Sequence, residues 1–140
     1  RTPGPPRAPA AAGRRRLDRG ACAVHPLPML VFKIFRRPEW EAFRDAGRTP
    51  GAPVDLADGY IHLSTPEQVT ETAARHFAGE SDLVLVALHA DRLGEALRWE
   101  PSRGGALFPH LYRELLLADV VWDKSLPLGA TGHIFPEGVV

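Results

Sequence analysis

The pattern of apolar and polar residues predicts a small domain that mixes strands and helices. Residues 30–35 are rich in β-branched and aromatic side chains, which predicts an opening strand. Residues 83–88 form an uninterrupted apolar run, which is typical of a central strand buried on both faces. Further strand patterns occur at 97–100, around 110–112 and at 119–122. The order of elements favours an α+β fold over a doubly wound sheet.

Two helices are predicted from their start signals. Pro38 suits the first turn of a helix that ends at Gly47. The Thr-Pro-Glu-Gln sequence at 65–68 matches a capping box with proline at the first helical position. Between these helices, residues 49–58 carry two prolines and a glycine, so we expect a loop there.

The strand pattern at 60–64 places chemistry on one side of a sheet. Tyr60, His62 and Ser64 fall on one face, and Ile61 and Leu63 fall on the other. The apolar face should be buried, which turns the polar face toward a cleft. A neutral imidazole held in a strand can both donate and accept hydrogen bonds, so His62 is the leading functional candidate. The alternative is a core histidine satisfied by the backbone.

Two later segments offer further candidates. Arg103 precedes two glycines, and a guanidinium beside backbone amides without a Cβ suits phosphate or carboxylate, although the same residues describe an ordinary turn. In the next segment His110 and Tyr112 share one side of an extended stretch, with Leu111 packing on the other. This pair could clamp a planar group or a sugar. Alternatively, Tyr112 is a core aromatic and His110 a loop residue.

Composition and motifs exclude several classes of protein. Cys22 is the single cysteine, so no intrachain disulfide or zinc knuckle can form, which suits a cytoplasmic protein. No apolar stretch approaches the length of about 20 residues that a membrane-spanning helix needs. No histidine pair has the spacing of a helical metal site, and we predict no metal. The phosphate-binding and nucleophile motifs GxGxxG, GxxxxGK[ST] and GxSxG are absent.

The first 28 residues differ in composition from the rest. They hold six arginines, one aspartate and six of the 14 prolines, without a periodic apolar pattern. We predict a disordered basic tail at 1–28 and a single domain at 29–140. Because the only methionine is Met29, translation could begin there; a tail that contacts RNA or an acidic partner is the alternative. The remaining 112 residues are mildly acidic, which argues against a broad nucleic-acid surface.

Two long motifs carry a resemblance to a known family. Residues 58–65 read DGYIHLST and are followed by Glu-Gln at 67–68; residues 97–105 read LRWEPSRGG and are followed by FPHLY at 108–112. With these motifs in this order, the chain resembles a bacterial family named only as domain of unknown function number 952, over residues 30–127. That name supplies no reaction.

The order of segments is also similar to that of the RNA 2′-phosphotransferases and the wider ADP-ribosyltransferase-like fold. This resemblance implies two antiparallel or mixed sheets around a cleft, with two or three helices. It also implies that His62 and Ser64 contact the nicotinamide and ribose of NAD and that Arg103 holds a phosphate. Lys33-Ile34 stands where the phosphotransferases have His-Gly.

These expectations lead to a hypothesis and two alternatives. The first is an NAD- or ADP-ribose-binding enzyme that transfers an ADP-ribosyl or phosphoryl group to an RNA or protein acceptor. A carboxylate such as Glu100 or Glu114 would stabilise positive charge on the ribose, and Asp119 and Asp123 are further acidic candidates. The second is an inactive module that binds a nucleotide or a protein. The third is a cofactor-free hydrolase with His62 or His110 as general base. The residues expected to act in catalysis are His62, Glu100 and His110. Those expected to bind the ligand are Tyr60, Ser64, Arg103, Gly104 and Tyr112.

Overall fold

The structure is a computed structural model that describes residues 29–139, apart from the side chain of Arg103. The predicted basic tail at 1–28 lies outside these residues. The α-helices are α1 Arg37–Ala46, α2 Pro53–Asp58, α3 Pro66–His76 and α4 Ala90–Leu93. The strands are β1 Leu30–Arg36, β2 Arg48–Thr49, β3 Ile61–His62, β4 Leu83–His89, β5 Leu97–Pro101, β6 Leu107–Leu111, β7 Leu115–Leu116, β8 Val120–Leu126, β9 Leu128–Gly129 and β10 Gly132–His133.

The first sheet has the order β1-β4-β8, and both pairings are antiparallel. Its middle strand β4 is buried along residues 83–88, as its apolar run predicts. One core cluster packs on each face of this sheet, and together the clusters hold most of the buried apolar side chains. Because β1 contributes Val31 and Phe35 to one cluster and Phe32 and Ile34 to the other, it separates the two cores.

Helices α1 and α3 follow their start signals. Helix α1 begins at Arg37, one residue before Pro38, buries Trp40 and Phe43, and ends at Gly47 in the left-handed conformation, with φ of 80°. In α3, the Gln68 side chain accepts a hydrogen bond from the Thr65 amide at 3.1 Å, as a capping box requires. These start signals therefore predicted both helices correctly.

The second sheet has the order β3-β6-β5, and β5 is an edge strand. It meets the first sheet at one point, where Phe32 of β1 and Ser64 exchange two backbone hydrogen bonds of 2.8 and 2.9 Å. Beyond this bridge the sheets are no longer paired. The remaining strands form two-stranded pairs, β2 with β7 and β9 with β10.

The fold class is therefore α+β with several antiparallel sheets, but two local predictions are wrong. Helix α2 lies within the predicted loop at 49–58. With α1, α3 and the short α4, it makes four described α-helices rather than the two or three expected. Its start signals were present: Pro53 is the first helical residue, and Asp55 accepts a hydrogen bond from the Ala52 amide at 2.8 Å. The last long strand also continues to Leu126, beyond the predicted end at residue 122. Within residues 29–139, no helix is long and apolar enough to cross a membrane.

Candidate functional site

The second sheet presents a polar face whose residues alternate as the sequence predicts. His62 of β3 is the register partner of His110 of β6, so both point to the same side of the sheet. On the opposite side, Ile61, Leu63 and Leu111 are buried in the core. The period of two residues along each strand therefore places the polar side chains on one face of the sheet and the core side chains on the other.

Four rings on the polar face form one cluster. Tyr60 stacks on His110 with ring centroids 4.2 Å apart and an interplanar angle of 28°. The centroid of Tyr60 is 4.7 Å from that of His62 and 5.2 Å from that of Tyr112, and the two histidine rings are 5.5 Å apart. The two distant sequence motifs therefore meet in space.

Both ring nitrogens of His62 contact carboxylates from helix α2. Nδ1 is 2.6 Å from Oδ1 of Asp55, and Nε2 is 2.9 Å from Oδ2 of Asp58. The Asp55 side chain is fully buried, whereas that of Asp58 is 45% exposed. Helix α2 therefore holds this imidazole between a buried acceptor and one that solvent can reach.

Asp55 is the centre of a buried charge network. Its Oδ2 accepts hydrogen bonds from Nζ of Lys33 at 2.7 Å and from the Ala52 amide, and its Oδ1 accepts the His62 amide at 3.1 Å. Burial alone would raise the pKa of Asp55, but the hydrogen bond from His62 and the charge of Lys33 outweigh it and lower that pKa to about 2. Asp55 is therefore an ionised acceptor at neutral pH.

His110 has a carboxylate partner of its own. Its Nδ1 is 2.8 Å from Oε1 of Glu100, and the Tyr112 hydroxyl donates to the same oxygen at 2.7 Å. The hydrogen bond from Tyr112 lowers the pKa of Glu100 most, and that from His110 lowers it further. The hydrogen bond between Tyr112 and Glu100 also raises the pKa of Tyr112. Burial, followed by the charges of Asp58, Glu100 and Asp55, raises the pKa of Tyr60. The polar face is thus rich in carboxylate oxygens.

A cavity of about 560 Å³ opens beside this face, where the two sheets separate beyond the Phe32–Ser64 bridge. Its wall includes three of the predicted site residues, His62, Ser64 and His110. Tyr60, Glu100 and Tyr112 belong to the adjoining ring cluster and do not line the cavity. The other polar residues of the wall are Lys33, Arg36, Glu39, Asp58, Thr72, His76 and Ser102, and its apolar residues include Phe32, Ile34, Phe77 and Phe108.

The segment after β5 borders the cavity through Ser102. The side chain of Arg103, which was predicted to hold a phosphate, lies outside the described residues. Gly104 and Gly105 have φ of 67° and 86°, and a Cβ added to either would meet no atom within 4 Å. The left-handed backbone of this turn is therefore sufficient reason for both glycines.

Three residues of the site were not among the sequence candidates: Lys33, Asp55 and Asp58. Asp55 and Asp58 fell in the predicted loop, although Asp58 opens the DGYIHLST motif. Lys33 did carry a signal, because a lysine inside an apolar strand needs a buried partner. His76 of α3 also lies on the cavity wall.

The other acidic candidates lie away from the cavity. Strand β6 ends at Leu111, so Glu114 does not extend the polar face and instead lies 3.7 Å from Arg48. Asp119 is paired with Arg113 at 2.9 Å, and Asp123 lies on β8 of the first sheet. Over the described part of the chain, no three His, Cys, Asp or Glu side chains are grouped as metal ligands.

Comparisons with known proteins agree with this architecture. The profile of a family described as "Protein of unknown function (DUF952)" matches residues 34–123. The crystal structure of protein CC0527 from Caulobacter crescentus is 55% identical, with a TM-score of 0.72, over 74% of this chain and 91% of that chain. The solution NMR structure of CC0527 is also 55% identical, with a TM-score of 0.68, over 74% of this chain and 90% of that one. Among curated proteins, none matches the chain.

Proposed function

The chain belongs to the DUF952 family, and for this member we propose that the cavity binds NAD or an ADP-ribosylated molecule for ADP-ribosyl or phosphoryl transfer. The observation that carries this proposal is the cavity of about 560 Å³ at the separation of the two sheets, with His62 on its wall. Small-molecule sites are commonly clefts of about 300–1,000 Å³ with a few convergent polar groups. The size and lining of this cavity suit a nucleotide.

The arrangement of the sheets supports an ADP-ribosyltransferase-like fold as part of the proposal. Two three-stranded antiparallel sheets share one bridge and then part, which leaves a cleft between them. His62 lies in a strand at that cleft, as the resemblance to NAD-binding transferases implies. We therefore propose that His62 and Ser64 contact the ribose and nicotinamide portion of the ligand.

The lining of the cavity favours Asp58 over Glu100 as the carboxylate that takes part in the proposed reaction. Cleaving the bond between nicotinamide and ribose builds positive charge on the sugar, and a nearby carboxylate stabilises that charge. Glu100 does not line the cavity, and it already accepts hydrogen bonds from His110 and Tyr112. Asp58 lines the cavity beside His62, so we assign it the electrostatic role in the proposed reaction.

One observation favours a second candidate, a module that binds a nucleotide or protein without turnover. The two cations described on the cavity wall are both committed to carboxylates. Lys33 pairs with Asp55, and Arg36 makes two hydrogen bonds of 2.8 and 2.9 Å to Glu80. A transferase would need a cation that is free to follow the phosphates, and Arg103 is the residue on which that role would rest.

Isothermal titration calorimetry with NAD and with ADP-ribose tests the proposal. We expect submillimolar binding by the unaltered protein and a loss of about tenfold or more in affinity for His62→Ala, since one hydrogen bond to a polar ligand is worth about 0.5–1.5 kcal/mol and the ring also contributes contacts. His133→Ala is the matched control, because His133 lies in the β9–β10 hairpin, outside the cavity wall. Its Nε2 hydrogen-bonds the backbone carbonyl of Glu80.

The outcomes separate the candidates. Binding together with release of nicotinamide supports the transferase, and binding of either ligand without turnover in the presence of RNA and protein acceptors supports the binding module. Absence of binding at millimolar ligand would remove the nucleotide assignment.

A further inference from the structure

The two hydrogen-bonding partners of the His62 ring differ in how firmly each is held. Asp55 contacts Nδ1 with a fully buried carboxylate, and the same oxygen also accepts the backbone amide of His62. Asp58 contacts Nε2 from the exposed end of α2. One carboxylate therefore grips both the ring and the backbone of His62, while the other touches only the ring.

The Asp55 carboxylate accepts hydrogen bonds from four donors. The donors are Nζ of Lys33, the amides of Ala52 and His62, and the His62 ring. Gly51 leaves the space that this side chain occupies, because a Cβ on Gly51 would lie 2.5 Å from Cβ of Asp55. Asp55 therefore has little freedom to rotate, and it presents a fixed acceptor to Nδ1.

We propose that Asp55 is the positioning residue of His62: it fixes the ring with a proton on Nδ1 and so presents Nε2 to the ligand. A carboxylate that only accepts hydrogen bonds requires N–H at the nitrogen that faces it. Such an outer partner sets both the tautomer and the orientation of an imidazole. Since the ligand in question is a ribosyl compound, this inference rests on the proposed function.

The consequence concerns which ligand atom His62 recognises. By the same rule the 2.9 Å contact of Nε2 with Oδ2 of Asp58 requires a second proton, so the ring meets both carboxylates only as an imidazolium. In the neutral ring the proton stays with the buried Asp55, and Nε2 and Oδ2 of the exposed Asp58 are two acceptors side by side. A hydroxyl group can donate to either of these atoms, whereas a phosphoryl oxygen cannot donate. The Nε2 position therefore selects a sugar hydroxyl, and the phosphates of the ligand lie elsewhere in the cavity.

Nitrogen-15 NMR of histidine-labelled protein tests the tautomer, measured at a pH where the ring of His62 is neutral. We expect the Nδ1–H pattern for His62 in the unaltered protein. His110 is the internal control, because its Nδ1 has a separate carboxylate partner, Glu100. An Nε2–H pattern for His62 in the unaltered protein would overturn the proposal without any variant.

A pair of variants separates positioning from folding. Lys33→Met alone removes the buried cation and should leave the Nδ1–H pattern of His62 intact. Lys33→Met combined with Asp55→Leu removes the acceptor at Nδ1 together with the cation that it neutralises, so no buried charge is left without a partner. We then expect the Nε2–H form of His62 to appear while His110 keeps its pattern. An unchanged His62 pattern in the double variant would mean that Asp55 does not position the ring.

The same variants distinguish this inference from the proposed function. If NAD binds, the double variant should lose about tenfold in affinity relative to Lys33→Met, as expected when a ligand hydroxyl loses a well-oriented partner. If NAD binds neither protein, the nucleotide assignment fails, and the tautomer measurement alone decides whether Asp55 positions His62.

Discussion

Two histidines face each other across β3 and β6, and their surroundings are inverted. The His62 side chain is 34% exposed and its partner Asp55 is fully buried, whereas the His110 side chain is 4% exposed and its partner Glu100 is 35% exposed. In the first pair the ring reaches the cavity from a fixed anchor. In the second pair the ring is enclosed under Tyr60, and only its carboxylate reaches solvent. Both rings lie on the cavity wall. Under the proposed function, the more exposed ring of His62 suits contact with a ligand, and the buried ring of His110 supports the ring cluster.

The largest expected difference between the two pairs is in stability. Asp55→Ala should lower the free energy of unfolding by about 3–5 kcal/mol, because it leaves Lys33 buried without a partner. Glu100→Ala should lower the free energy of unfolding by clearly less, since solvent can reach the Tyr112 hydroxyl that loses its acceptor. Urea denaturation of both variants measures this, and an equal loss in the two would contradict the contrast.

The next effect is a pH dependence of stability. The pKa of Asp55 falls from its ordinary 3.8 to about 2 in the folded protein, so its contribution is complete above about pH 5 and is lost as the pH falls through about 4 to 2. The difference between these two pKa values of Asp55 corresponds to a free energy of about 2 kcal/mol. Between pH 5 and pH 2 the unaltered protein should therefore lose about 2 kcal/mol more than Asp55→Asn. Parallel pH profiles of unfolding for the two proteins would refute this origin.

A smaller effect is expected at the exposed end of the His62 pair. Asp58→Asn should change the free energy of unfolding by about 1 kcal/mol or less, because solvent screens a half-exposed ion pair. The variant tests whether the two carboxylates of α2 really differ, under the denaturation conditions used for Asp55→Ala. A loss as large as that of Asp55→Ala would show that Asp58 is a structural anchor as well.

The smallest effect concerns Glu100 alone. Tyr112→Phe removes the hydroxyl that contributes most to the lowered pKa of Glu100, so that pKa should move up toward its ordinary value. Carbon-13 NMR of the glutamate carboxyls during a pH titration measures the change. A Glu100 pKa that does not rise in this variant would mean that His110 holds the carboxylate without help.

Local sequence rules predicted much of this fold and half of the site. Period-two alternation gave the polar face with His62 and His110, and the capping residues around Thr65 gave α3. The contact between the two motifs depends on β3 pairing with β6, whose partners are almost 50 residues apart, and no local pattern specifies such a pairing. The Lys33–Asp55 pair could not be predicted for the same reason, because its partners are 22 residues apart. In addition, Asp55 lies in α2, a segment that was predicted to be a loop.

The most direct test of the central claim is to titrate the ¹⁵N-labelled protein with NAD and follow its backbone amides by NMR. The proposed cavity predicts saturable shifts for residues on its wall, including His62, Ser64 and Ser102, with the β9–β10 hairpin unaffected. Shifts confined to the hairpin, or no shifts at millimolar NAD, would contradict a nucleotide site between the two sheets.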